Sequence, residues 1–125
     1  MKLLLVTDST WVRNDVAASL PPGWQLQLAD SRVAVPAAAQ YGPDAVLVDL
    51  QVGSMGGFAV VRALRDAIAA GDVDLTRLIL LLDRKADGFL VARAGADGSV
   101  VKPFTAQELR AVVTSAVPRA PVPLP

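Results

Sequence analysis

Short apolar runs alternate with longer stretches of helical spacing along the whole of this chain, and few folds accept that order. Runs at 2–7, 24–29, 45–49, 77–82 and 98–101 are too short to be core helices and read as strands. Five strands alternating with helices predict a parallel sheet covered on both faces. The first helix is expected to start at Ser9 or Thr10 as N-cap and to present Val12, Val16, Ala17 and Leu20 before Pro21, Pro22 and Gly23 stop it. A second helical stretch runs from Asp30 to Gln40, where Pro36 kinks the helix unless it sits in a first turn, so a late or irregular start is expected. The third covers about Phe58 to Ala70, with Val60, Val61, Leu64 and Ile68 on one face and Gly71 as its stop. The fourth, from Ala86 to Ala94, is short. Thr105 and Glu108 open the fifth as a capping box.

Three strand ends carry charge. Asp8 lies just past the first run, Asp49 ends the third, and Lys102 follows the fifth with Pro103 behind it. In an open α/β sheet the carboxyl ends of parallel strands form the edge where ligands bind. Two carboxylates and an ammonium at that edge point to a cation and phosphate site.

Composition removes other options. The 125 residues suffice for one domain with a real core. Without cysteine or histidine, the chain lacks disulfides, thiolate chemistry and the usual transition-metal ligands, so any metal is expected to be a hard ion such as Mg²⁺. Twelve basic residues balance twelve acidic ones, which gives no basic field for nucleic acid. No apolar run approaches the roughly 20 residues that cross a bilayer. Met1 and Lys2 lead directly into Leu3 without the shape of a signal peptide, so a soluble, cytoplasmic protein with no membrane partner is expected. Residues 118–125, PRAPVPLP, read as a Pro-rich flexible tail after a domain spanning 1–117.

VTDS at the first strand end, PDAVLVDLQVGSMGGFAVVRALR around the third strand and GADGSVVKPFTAQEL around the fifth resemble the receiver domains of bacterial two-component response regulators. The resemblance covers about Lys2 to Val117. It implies a flavodoxin-like (βα)5 fold with strand order 2-1-3-4-5. It also implies that Asp49 is the phosphoacceptor, that Lys102 pairs with phosphoryl oxygens, and that Asp8, Asp49 and the backbone carbonyl of Gln51 hold Mg²⁺. The residue types suit that chemistry: phosphoryl transfer to a carboxylate brings negative oxygens against a negative nucleophile, and a cation with a fixed ammonium offsets the repulsion.

Taken singly, each of the three charged residues has an ordinary reading: a helix-start acid, a turn acid and their ion-pair partner. Together with the Lys-Pro-Phe turn they favour the receiver resemblance. The sequence nevertheless departs from the family pattern. Thr7 stands where a second acid is usual, so Mg²⁺ binding is expected to be weak or absent. Asp83 and Arg84 occupy the switch positions where a hydroxyl residue and a small residue are usual; Asp83 should repel a phosphoryl group, and Arg84 fills the small slot. For the Arg84 side chain, a surface pair with Asp83 or Asp87 is preferred over a fold across the site onto Asp49 or Asp8. Ser99 replaces the usual coupling aromatic. Gly53 and Gly56 stand where the loop after Asp49 usually has a Pro and an acid, so Val52 to Gly57 is expected to be more mobile than is typical, with Gly57 at a turn with positive φ. The stretch from Asp83 to Gly95 is shorter than usual, so the fourth helix should be small or displaced. Trp11 is a candidate lid; Trp24 reads as packing.

The reading is therefore an atypical stand-alone response regulator receiver, a phosphoprotein by ancestry and not an enzyme in the ordinary sense. Its expected partners are a histidine kinase or other signalling protein, and a downstream protein bound through helix 4, strand 5 and helix 5; homodimerisation is allowed. Between weak phosphorylation and a phosphorylation-independent state, the second is preferred because the switch pair is missing. The alternative is a small binding protein or enzyme using the strand-end crevice for a nucleotide or flavin, against which stands the lack of a Gly-rich phosphate loop after the first strand.

Overall fold

A computed structural model describes residues 1–51 and 56–118. The five strands are β1 (Lys2–Val6), β2 (Gln25–Ala29), β3 (Ala45–Asp49), β4 (Arg77–Leu82) and β5 (Gly98–Val101). All neighbours pair parallel in the order β2-β1-β3-β4-β5, the flavodoxin-like arrangement that the sequence predicts. The helices are α1 (Thr10–Ser19), α2 (Ala34–Tyr41), α3 (Gly57–Ala69), α4 (Leu90–Ala94) and α5 (Ala106–Ser115).

Alternation of side chains along each strand splits the core into two layers. Leu4, Val46, Leu78 and Leu80 face α2, α3 and α4. Leu3, Leu5, Leu47, Ile79 and Leu81 face α1 and α5. The central strands are therefore buried on both faces, while β2, at the edge, leaves Leu28 42% exposed. Trp24 packs on the α1/α5 layer, as read from the sequence.

Differences between expectation and structure have local causes. Val12 and Val16 are the buried residues of α1, and Leu20 at its C-cap packs partly buried against the same layer as expected; Ala17 alone of the four is exposed. A 3₁₀ turn over Ser31–Val33 precedes α2, which puts Pro36 in the helix's first turn, where its missing N–H costs nothing. The fourth helical segment is a 3₁₀ turn over Lys85–Phe89 followed by five residues of α4, so it is small as expected. Gly57 does not have positive φ; Gly56 does, at 77°. Gly57 is needed for a close approach, since a Cβ there would lie 2.6 Å from the Asp49 carbonyl oxygen and 2.7 Å from Leu50 Cα. Residues 52–55, most of the expected mobile loop, and 119–125 of the tail lie outside the described residues.

One ion pair, with hydrogen bonds around it, holds the helical layer to the sheet. The Asp97 carboxylate is fully buried; it lies 3.1 Å from Arg65 of α3 and accepts the Leu78 backbone N–H at 2.8 Å. Arg65 also donates to the Gly95 carbonyl at the end of α4. Thr105 and Glu108 form the expected capping box.

Candidate functional site

The parallel strands bring four side chains to one sheet edge. Asp49 ends β3, Thr7 follows β1, Asp83 follows β4 and Lys102 follows β5. The β4/β5 register sets Leu82 opposite Val101, so Asp83 and Lys102 are next to one another. The backbone reinforces this: Lys102 N–H donates to the Leu82 carbonyl at 2.7 Å.

Asp49 is 2% exposed and Lys102 8%. The Lys102 ammonium is bonded to Asp49 Oδ1 and stands 2.9 Å from Asp83 Oδ1. The Thr7 hydroxyl donates to Asp49 Oδ2 at 2.7 Å, and the Gln51 N–H reaches Oδ1 at 3.4 Å. Thr7 in turn accepts the Ser9 N–H at 3.1 Å, which fixes its hydroxyl toward Asp49. Both Asp49 oxygens are thus engaged. Asp83 Oδ2 is a buried oxygen without a hydrogen-bond partner, although the side chain as a whole is 32% exposed.

Counting two carboxylates against one ammonium, this cluster carries one net negative charge. An incoming anion therefore meets Asp83 as well as Asp49. At 4 Å near a protein surface each such charge pair is worth about 4 kcal/mol. The ammonium that would offset the anion is already shared between two carboxylates.

Asp49, Asp83, Lys102, Gln51 and Trp11 line one cavity of about 300 Å³, with Trp11 half exposed at its wall. Asp8 is exposed and lines a different cavity, of about 240 Å³, with Thr7, Arg13 and Asp30. Successive side chains at a strand end face opposite ways, and here it is Thr7 that faces Asp49. Arg84 does not fill the site: its side chain is 75% exposed and pairs with Asp87 at 3.2 Å, the surface pair preferred from the sequence.

The oxygen donors that this edge offers a hard cation such as Mg²⁺ are the Asp49 and Asp83 carboxylates, with a hydroxyl, Thr7, beside Asp49. That ion demands octahedral oxygen donors and gives up water reluctantly. Asp49 Oδ2 accepts only the Thr7 hydroxyl, while Oδ1 and Asp83 share the Lys102 ammonium, so a cation at this edge competes with Lys102 for both carboxylates. Among the described residues, no group of three or more acidic side chains is placed to hold a metal.

The sequence reading missed two contacts: the Thr7 hydroxyl on Asp49, and the Asp83–Lys102 pair. The sequence presents Asp83 as a repulsive charge or as a partner of Arg84, not of Lys102. The signal was present, since residues immediately after two adjacent parallel strands are neighbours and these two carry opposite charge.

No protein-family model matches the chain. Its sequence is 36% identical over 114 residues to the response regulator MprA of Mycolicibacterium vanbaalenii, covering 89% of this chain and 48% of that protein. It is 33% identical over 125 residues to the transcriptional regulatory protein PrrA of Mycobacterium bovis, covering 94% of this chain and 50% of that protein. The chain spans about half the length of these curated relatives. Among solved structures, the chemotaxis protein CheY4 of Vibrio cholerae superposes with a TM-score of 0.79 at 27% identity, covering 93% of this chain and 98% of that one. A flavodoxin-like fold with charged residues at three strand ends defines the class, and the relatives name it. The chain belongs to the receiver domains of two-component response regulators.

Proposed function

We propose that this receiver domain is an atypical one, which signals by protein contact with a weak or absent phosphorylation switch. The observation that carries this reading is the Asp83 carboxylate on the Lys102 ammonium at 2.9 Å. In the phosphoacceptor role that the resemblance gives Asp49, the incoming phosphoryl oxygens need Lys102 and must displace Asp83 to reach it. Thr7 stabilises the unmodified carboxylate by donating to Oδ2, and no hydroxyl side chain stands at residue 83 to follow a phosphoryl group inward. A ligand shifts a two-state equilibrium only through differential contacts with the two states, and these are missing.

Mg²⁺ binding is accordingly weak or absent, with Asp8, Asp49 and the Gln51 carbonyl as the residues that would take part. The partners are a histidine kinase or another signalling protein, and a downstream protein bound through α4, β5 and α5. The domain acts as a signalling module and not as a conventional enzyme. A cytoplasmic location is the setting such partners imply; among the described residues no helix is long and apolar enough to cross a membrane.

The test is an amide NMR titration of the ¹⁵N-labelled chain with Mg²⁺ and beryllofluoride. The proposal expects small shifts confined to the neighbours of Asp49. Saturating shifts that spread through residues 83–95 into β5 would show an ordinary switch and reject it.

A further inference from the structure

Four cationic side chains among the described residues, Arg13, Arg62, Lys85 and Arg93, take part in no hydrogen bond or ion pair. Two of the four converge. Arg62 of α3 and Arg93 of α4 line one open groove of about 320 Å³ together with Phe58, Leu90 and Ala94. On each helix the arginine stands one turn beyond an apolar residue of the same groove: Phe58 then Arg62, Leu90 then Arg93.

Among the described residues neither arginine makes an ion pair. The neighbouring Arg65 is engaged by Asp97 and the Gly95 carbonyl. Asp66, one turn past Arg62 on α3, is exposed and makes no ion pair with it. A guanidinium is a rigid fork suited to a carboxylate, while its methylene stem lies easily along apolar surface. Two such forks beside a Phe–Leu–Ala floor would be desolvated at a loss by a purely apolar partner, and would repel a basic one. A small phosphate ligand would satisfy the arginines and leave the floor uncovered.

We propose that the α3/α4 groove docks an acidic segment of a protein partner, which sets an apolar side chain on Phe58 and Leu90 and a carboxylate on each of Arg62 and Arg93. This surface is distinct from the strand-end site. Its use does not depend on whether Asp49 takes a phosphoryl group.

The test is a selection of random linear peptides displayed against the immobilised chain, followed by NMR mapping with the synthesised winners. The proposal expects enriched sequences that combine Asp or Glu with Leu, Ile or Phe, and shifts centred on residues 57–65 and 89–95. Binding should weaken with salt, and should fall about tenfold or more in the Arg62→Gln/Arg93→Gln variant and with the Glu→Gln peptide. Circular dichroism of the variant checks its fold, which Gln at two exposed positions should leave intact. The proposal is overturned by no enrichment, by winners without acidic residues, by unchanged affinity for the double variant, or by shifts mapped elsewhere. It is equally overturned if inorganic phosphate or a nucleoside diphosphate shifts the groove amides while the peptides do not.

Discussion

Asp83 lies 2.9 Å from the Lys102 ammonium because β4 and β5 deliver their following residues side by side. The same ammonium is bonded to Asp49 at the end of β3. One buried cation thus ties three strand ends together, and its removal exposes two carboxylates to each other.

The stability consequence is asymmetric. Lys102→Met should cost about 3–5 kcal/mol in urea unfolding at neutral pH, because it leaves the nearly buried Asp49 without its counter-charge. Asp83→Asn should cost no more than about 1 kcal/mol, since that side chain is a third exposed and the Asp49–Lys102 pair survives. Equal losses in the two variants would contradict the assignment of Lys102 primarily to Asp49.

Gly57 carries the close approach of α3 to β3. Gly57→Ala should destabilise by about 1–3 kcal/mol, because the clash is with backbone atoms that cannot swing aside. Gly88→Ala, with nothing within 4 Å of the added methyl, is the control and should be near neutral. Thermal or urea denaturation of the two variants decides the point.

These two positions also show where a sequence is readable. The five strands were legible to within a residue or so, because burial on both faces demands uninterrupted apolar runs such as Leu78 to Leu82. Pro36 and the Thr105/Glu108 pair marked helix starts, because proline and capping chemistry act locally. That Asp49 and Lys102 meet at one sheet edge is legible for the same reason: one ends a strand and the other follows one. What escaped depended on a third element. Gly57 read as a turn residue because its crowding comes from Asp49 and Leu50 across the loop. Asp83 reads as a repulsive charge or an Arg84 partner, because its pairing with Lys102 appears only once β4 and β5 are in register. Spacing alone puts Ala17 on the core face, and helix spacing does not say where the supporting layer stops.

Thr7 replaces charge with a hydroxyl beside Asp49. Thr7→Asp should bind Mg²⁺ more tightly than the natural chain, since a second carboxylate at that point offsets the cost of dehydrating the ion. Trp11 lines the same cavity and its fluorescence can report the titration, with a Trp24→Phe background removing the second indole. Equal affinity in the two proteins would show that the Thr7 hydroxyl is not what limits the ion.

The capping box of α5 offers a local check on the helix behind the site. Thr105→Ala removes the acceptor of the Glu108 N–H, held at 3.1 Å, and should lower stability by about 1 kcal/mol. Because the strand-end cluster is untouched, the Mg²⁺ titration of this variant should match that of the natural chain.

The role given to Asp83 is tested most directly by intact-mass measurement of phosphoryl uptake from a small phosphodonor, comparing the natural chain with Asp83→Thr and Asp49→Asn. Removing the Asp83 carboxylate frees Lys102 and takes away a like charge beside the acceptor. Asp83→Thr should therefore gain a phosphoryl group faster and to a higher level than the natural chain, and Asp49→Asn should gain none. Rapid, near-complete uptake by the natural chain, with no increase in Asp83→Thr, would contradict the account.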